Sequence, residues 1–96
     1  MTKIEHHEAL CKKLHDIYVQ KNHDYGDSFG RTFQEEGFAM PRIRLSDKLS
    51  RFKTLSHCSG NQERLVKDES LIDTLMDLAN YAVMTVLEME ESNEKQ

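Results

Sequence analysis

Residues 68–84, DESLIDTLMDLANYAVM, decide the fold. Leu71, Leu75, Leu78, Ala82, Val86 and Met89 recur at intervals of three and four, the spacing of a helix face. Ile72, Met76, Ala79, Val83 and Leu87 widen that face to an apolar arc of roughly 180° at 100° per residue. So wide an arc suits a helix packed against several neighbours. Asp68 is the expected N-cap. At the edge of the arc Glu69, Asp73, Asp77 and Asn80 fall on one stripe, at about −40°, 0°, +40° and −20°. Like charges one turn apart destabilise a helix by a few tenths of a kcal/mol. Three carboxylates in a row therefore imply a positive group opposite, either Mg²⁺ or Lys and Arg from another helix.

The rest of the chain reads as shorter helices. Ile4, Leu10, Leu14, Ile17 and Tyr18 predict a first amphipathic helix over residues 3–21. NHDYGDS (22–28) predicts a turn, with Gly26 free to take a positive φ. Asp27 or Ser28 caps a short second helix carrying Phe29 and Phe33 and stopped by Gly37. Pro41 suits the first turn of a third helix that runs through Ile43, Leu49, Phe52 and Leu55 to about His57. Ser59, Gly60 and Asn61 predict a loop. No strand alternation or internal repeat is visible. The expected fold is a small all-α bundle of about four helices, one domain over residues 1–90, with a frayed tail over 91–96.

Ninety-six residues with 38% apolar content and no Trp support only a small core, so completion by homo-oligomerisation is expected. No apolar run long enough for a membrane span or a signal core is present, and a cytoplasmic protein, in the host cell if phage-encoded, is expected. Cys11 and Cys58 lack the spacing of a zinc ribbon or a disulfide scaffold. The net charge of −4 is unevenly spread: residues 1–40 carry −2, 41–67 carry +5 and 68–96 carry −7. A basic middle and an acidic end can complement one another. Binding to duplex DNA through a sustained basic surface is disfavoured.

Four constellations carry possible chemistry. The acidic stripe of Glu69, Asp73 and Asp77 can hold Mg²⁺ by one or two direct bonds while leaving positions for a phosphate. Its plain alternative is a solvated, salt-bridged face. Arg44, Lys48 and Arg51, spaced four and three, form a phosphate clamp or simply neutralise the acidic stripe. Asn22, Asp24, Tyr25 and Gly26, within KNHDYGDSF (21–29), offer amide, carboxylate and aromatic groups to a base or sugar, or merely turn the chain. His7, Cys11 and His15 are spaced four apart but span about 12 Å along one helix, too far for a single ion. No GxSxG, P-loop or GxGxxG occurs, and Cys58 in SHCSG reads as an ordinary loop thiol.

Three blocks, KNHDYGDSF (21–29), RIRLSDKLSRFKTL (42–55) and ESLIDTLMDLANYAVM (69–84), together resemble the nucleotide modification associated domain 1 family of phages and prophages. The resemblance covers residues 18–88. It implies functional weight at Lys21, Asn22, Asp24, Tyr25 and Gly26, at Lys48 and Arg51, and at Glu69, Asp73, Asp77, Asn80 and Tyr81. More distantly, the chain is similar to MazG-type all-α nucleotide pyrophosphohydrolases, which bind Mg²⁺ through acids on two helices. Here the third helix reads DKLSR where paired glutamates would stand, and the acidic pair of QEEG (34–37) sits in a short helix, so half of that metal cage is missing or replaced by cations. The function expected first is nucleotide binding in an oligomer with sites near subunit contacts, serving nucleotide modification or sequestering a nucleotide signal, cyclic or linear. An alternative is Mg²⁺-dependent nucleoside triphosphate pyrophosphohydrolysis with Asp77 as the water-orienting base. A third is a purely structural oligomer.

Overall fold

The computed structural model describes residues 1–57 and 64–94. It consists of four helices: α1 (Lys3–Tyr25), α2 (Ser28–Glu36), α3 (Ala39–His57) and α4 (Arg64–Glu94). This is the small all-α bundle expected from the periodicity. Cys58 and the expected Ser59–Asn61 loop lie outside the described residues.

The first and last helices are longer than their sequence signals suggested. α1 continues past Lys21 to Tyr25, so Asn22, His23 and Asp24 form its last turn rather than a loop. The stop comes at Gly26, with φ of 69° and its N–H donating to the Asn22 carbonyl at 2.8 Å. α4 begins at Arg64, a full turn before Asp68, and runs beyond Glu90 to Glu94. Asp68 is thus internal to the helix rather than its cap; an acid early in a helix is favoured by the dipole as well as at the cap, and the sequence signal does not separate the two. Gly37, at φ 63°, ends α2 as expected, its N–H donating to the Phe33 carbonyl at 2.8 Å.

α3 and α4 form the most extensive pairing, and α2 closes one end of it. The core there is small: Phe33, Met40 and Pro41 are buried, with Phe33 meeting Phe38 edge to face at 5.5 Å. α1 buries no residue completely. Its N-terminus is held by a capping box, in which Thr2 Oγ1 accepts from the Glu5 N–H at 3.1 Å and the Glu5 carboxylate accepts from the Thr2 N–H at 3.0 Å. Only its second half, around Leu14, Ile17 and Tyr18, is partly covered. The molecule is elongated, 52 × 32 × 23 Å. No described helix is long and apolar enough to cross a membrane.

Candidate functional site

The polar stretch at the end of α1 owes its placement to the added helical turn. Tyr18, Lys21, Asn22 and Tyr25 stand at i, i+3, i+4 and i+7, one face of a helix. That face looks onto α4. Asp24 falls on the flank away from it, where its carboxylate accepts from Gln20 Nε2 at 3.2 Å and lies 3.4 Å from His23 Nδ1. Of the expected α1 ligands, Lys21, Asn22 and Tyr25 therefore share a surface and Asp24 does not.

The acidic stripe of α4 and the basic stripe of α3 meet at one residue. Asp77 Oδ1 lies 3.0 Å from Lys21 Nζ, and Asp77 Oδ2 lies 3.1 Å from Lys48 Nζ. Asp77 and Lys48 are largely covered, with 22% and 28% of their side chains exposed, while Lys21 retains 55%. Burial pushes the Asp77 carboxyl up; the hydrogen bonds and charges of Lys21 and Lys48 outweigh it and hold the group below the usual aspartate value. Neutralisation by the basic helix is thus realised at Asp77. It goes no further: Arg44 and Arg51 form no ion pair with any described residue.

Glu69 and Asp73 are exposed on α4. Among the described residues no three His, Cys, Asp or Glu side chains gather as a metal cage. The expected Glu69–Asp73–Asp77 cation site is therefore not assembled. Successive turns carry the three acids along the helix, and the one that turns inward has both oxygens occupied by ammonium groups. A Mg²⁺ at Asp77 would sit beside the ammonium groups of Lys21 and Lys48, which repel it. The His7, Cys11 and His15 row converges on no ion either; Cys11 Sγ lies 3.8 Å from His7 Nδ1, and His15 packs beside Tyr18 at 6.5 Å between ring centroids.

Asn80 has a structural contact the sequence did not foretell. It is buried, and its Nδ2 donates to the Leu14 carbonyl at 3.2 Å, tying the middle of α1 to α4. One residue on, Tyr81 stacks on Phe29 of α2 with centroids 5.9 Å apart and planes inclined by 16°.

These groups frame a cavity of about 520 Å³ to which all four helices contribute. That volume lies within the range of small-molecule sites. One wall holds Lys21, Asn22, Asp77 and Asn80; the stacked Phe29–Tyr81 pair, Tyr18 and Tyr25 supply aromatic surface. Arg44 reaches it from α3, and Met40, Met84 and Leu87 make an apolar floor. Asp27 and Glu88 also border it, so with Lys48 behind Asp77 the three cations and three acids balance. Among the expected ligands, Lys48, Arg51, Glu69, Asp73 and Asp24 do not line the hollow. Phe29, Met40 and Met84 do, although their spacing reads only as core packing. Their role depends on which helices adjoin, and no pattern within one helix encodes that.

The model of the family described as nucleotide modification associated domain 1 matches residues 21–89. The match begins at Lys21 and takes in the cavity groups of α2, α3 and α4 as well as the last turn of α1. Comparison with curated proteins and with solved structures returns no match. The chain belongs to the nucleotide modification associated domain 1 family.

Proposed function

From membership of a family associated with nucleotide modification, we propose that this protein binds a nucleotide or nucleotide-derived ligand in the four-helix cavity. The observation that carries the reading is the joining, in one hollow of about 520 Å³, of aromatic faces with the guanidinium of Arg44, which pairs with no described residue, and the partly exposed ammonium of Lys21. Arg offers a planar fork for phosphate oxygens, and Lys a point charge. Tyr25, 71% exposed at the rim, offers a ring for base stacking, and Asn22 an amide for a base edge or ribose hydroxyl.

The balance of charge around the cavity narrows the ligand class. A bare polyanion gains little from three cations offset by three acids. A nucleotide carries an anionic phosphate and also hydrogen-bond donors on its base and ribose, which Asp27 and Glu88 can accept. Nucleoside monophosphates or cyclic nucleotides fit such a site better than inorganic phosphate or pyrophosphate. Asp77 being held by two lysines favours binding without turnover, since the contacts make it a poorer base for water and a poorer metal ligand.

Isothermal titration with nucleoside monophosphates, triphosphates, cyclic dinucleotides and inorganic phosphate, each with and without Mg²⁺, tests this. At least one nucleotide is expected to bind more tightly than phosphate, and Arg44→Ala to weaken it about 10- to 100-fold, the loss of one charged hydrogen bond. No binding at millimolar nucleotide, or an unchanged affinity in Arg44→Ala, would overturn the site. Release of pyrophosphate or monophosphate that stops in Asp77→Asn would replace the binder with an enzyme.

A further inference from the structure

On α4, Ile72, Leu75, Ala79, Ala82, Val86 and Met89 are all exposed to solvent. Their spacings are three, four, three, four and three, the a and d positions of a heptad repeat. They cover an arc of about 100°, and its centre lies roughly 155° around the helix from the Asp73–Asp77–Asn80 stripe. The face that packs on α3 and lines the cavity is therefore a different one. Ala79 and Ala82 place the smallest side chains at the middle of the seam, and the larger ones stand at both ends.

The isolated chain is too open for its size. It exposes 7705 Å², against about 5,700 Å² for a typical folded monomer of its 11.2 kDa. Its radius of gyration is 15.6 Å, against about 12.5 Å for a compact domain of this length. The excess, about 2,000 Å² per chain, is what each subunit of a permanent homodimer loses at its interface. Monomers rarely leave a continuous apolar strip of this kind uncovered.

We propose that the uncovered face of α4 binds the same face of a second copy of this chain, with the two helices antiparallel. The seam suits itself under a two-fold axis passing between Ala79 and Ala82. The backbones then approach closely at the alanines, Ile72 meets the partner's Met89, and Leu75 meets the partner's Val86. A parallel pair would instead bring Glu90 and Glu91 of both copies together and align the two helix dipoles. The antiparallel arrangement separates them. The cavity, on the other side of α4, stays open in this dimer, so the inference stands or falls independently of the nucleotide reading.

Sedimentation velocity at micromolar concentration is expected to give a mass of two chains or a multiple of two for the natural protein. Ala82→Glu sets a carboxylate from each copy at the centre of the seam and is expected to halve that mass. Should Ala82→Glu fail to fold, cysteine pairing decides: in a background with Cys11→Ser and Cys58→Ser, mixing Ala79→Cys with Ala82→Cys protein is expected to yield the mixed disulfide dimer in preference to either self-linked one. A natural protein that sediments as a single chain, whether or not another protein then binds the seam, overturns the proposal. So does an Ala82→Glu protein of unchanged mass. Self-linking by Ala79→Cys alone, without the mixed product, overturns the antiparallel pairing.

Discussion

At the scale of single residues the decisive one is Asp77. Opposite charge on α3 and α4 was legible from spacing alone: Arg44, Lys48 and Arg51 share one face, and Asp73 and Asp77 another. Which cation meets which acid was not, because that depends on the helix crossing and on α1 arriving from a distant part of the chain. The outcome is unequal. Lys48 is half as exposed as Lys21, so its charge is less screened and its loss leaves Asp77 poorly solvated. Lys48→Ala is expected to cost about 1 kcal/mol and Lys21→Ala less than about 0.5 kcal/mol in urea unfolding. Equal costs would show that burial does not distinguish the two pairs. The pH dependence follows from the lowered folded-state value of Asp77. A carboxyl that ionises more readily when folded stabilises the fold above its unfolded value, about 3.9, and loses that contribution as pH falls through the lower folded one. Asp77→Asn removes this part of the acid limb. Its thermal midpoint is therefore expected to fall less steeply than that of the natural protein below about pH 4, and a parallel fall would assign the acid limb to other carboxylates.

At the scale of helices, the periodic apolar positions located all four elements; Gly37 marked the end of α2 correctly, while Gly26 takes the expected positive φ but closes a helix expected to stop at residue 21. The misplaced ends share a cause. Polar residues at Asn22–Asp24 and an acid at Asp68 are at home both in the terminal turns of a helix and just outside it, so local chemistry leaves the boundary open by about one turn. At α1 the extra turn matters for the proposed site, since it brings Tyr25 onto the face of Tyr18 and Lys21. The glycines after α1 and α2 are the least ambiguous signals. Gly37 has φ 63° and ψ −148°, and a Cβ there would touch nothing within 4 Å. Gly37→Ala is therefore a pure backbone penalty, expected at about 1–3 kcal/mol, with ligand affinity unchanged because Gly37 does not border the cavity. Gly26 has nearly the same backbone but lines the hollow. Gly26→Ala is expected to lower stability by a similar amount and to weaken nucleotide binding as well. A Gly37→Ala protein as stable as the natural one, measured by the same unfolding curves, would show that the chain reroutes this turn at little cost.

At the scale of the whole molecule, the small core has a dynamic consequence at α1. No α1 residue is fully buried, and the described contacts that hold it are the Asn80–Leu14 and Lys21–Asp77 hydrogen bonds with partial packing by Leu14, Ile17 and Tyr18. Helix amides without buried neighbours exchange through local opening rather than global unfolding. α1 is accordingly expected to exchange faster than α3 and α4 in the free protein. A ligand in the cavity touches α1 through Tyr18, Lys21, Asn22 and Tyr25 and the body through α2, α3 and α4, so it closes that opening from one end only. Hydrogen exchange with saturating nucleotide is expected to slow residues 18–25 while leaving 3–13 as in the free protein. The gain is bounded by the binding free energy, about 2.7 kcal/mol at a hundredfold excess over Kd, or about a hundredfold in rate. Protection across residues 72–89, by contrast, belongs to the paired α4 seam and is expected without any ligand. Exchange in 18–25 that ignores a bound nucleotide would move the ligand away from α1, whatever its affinity.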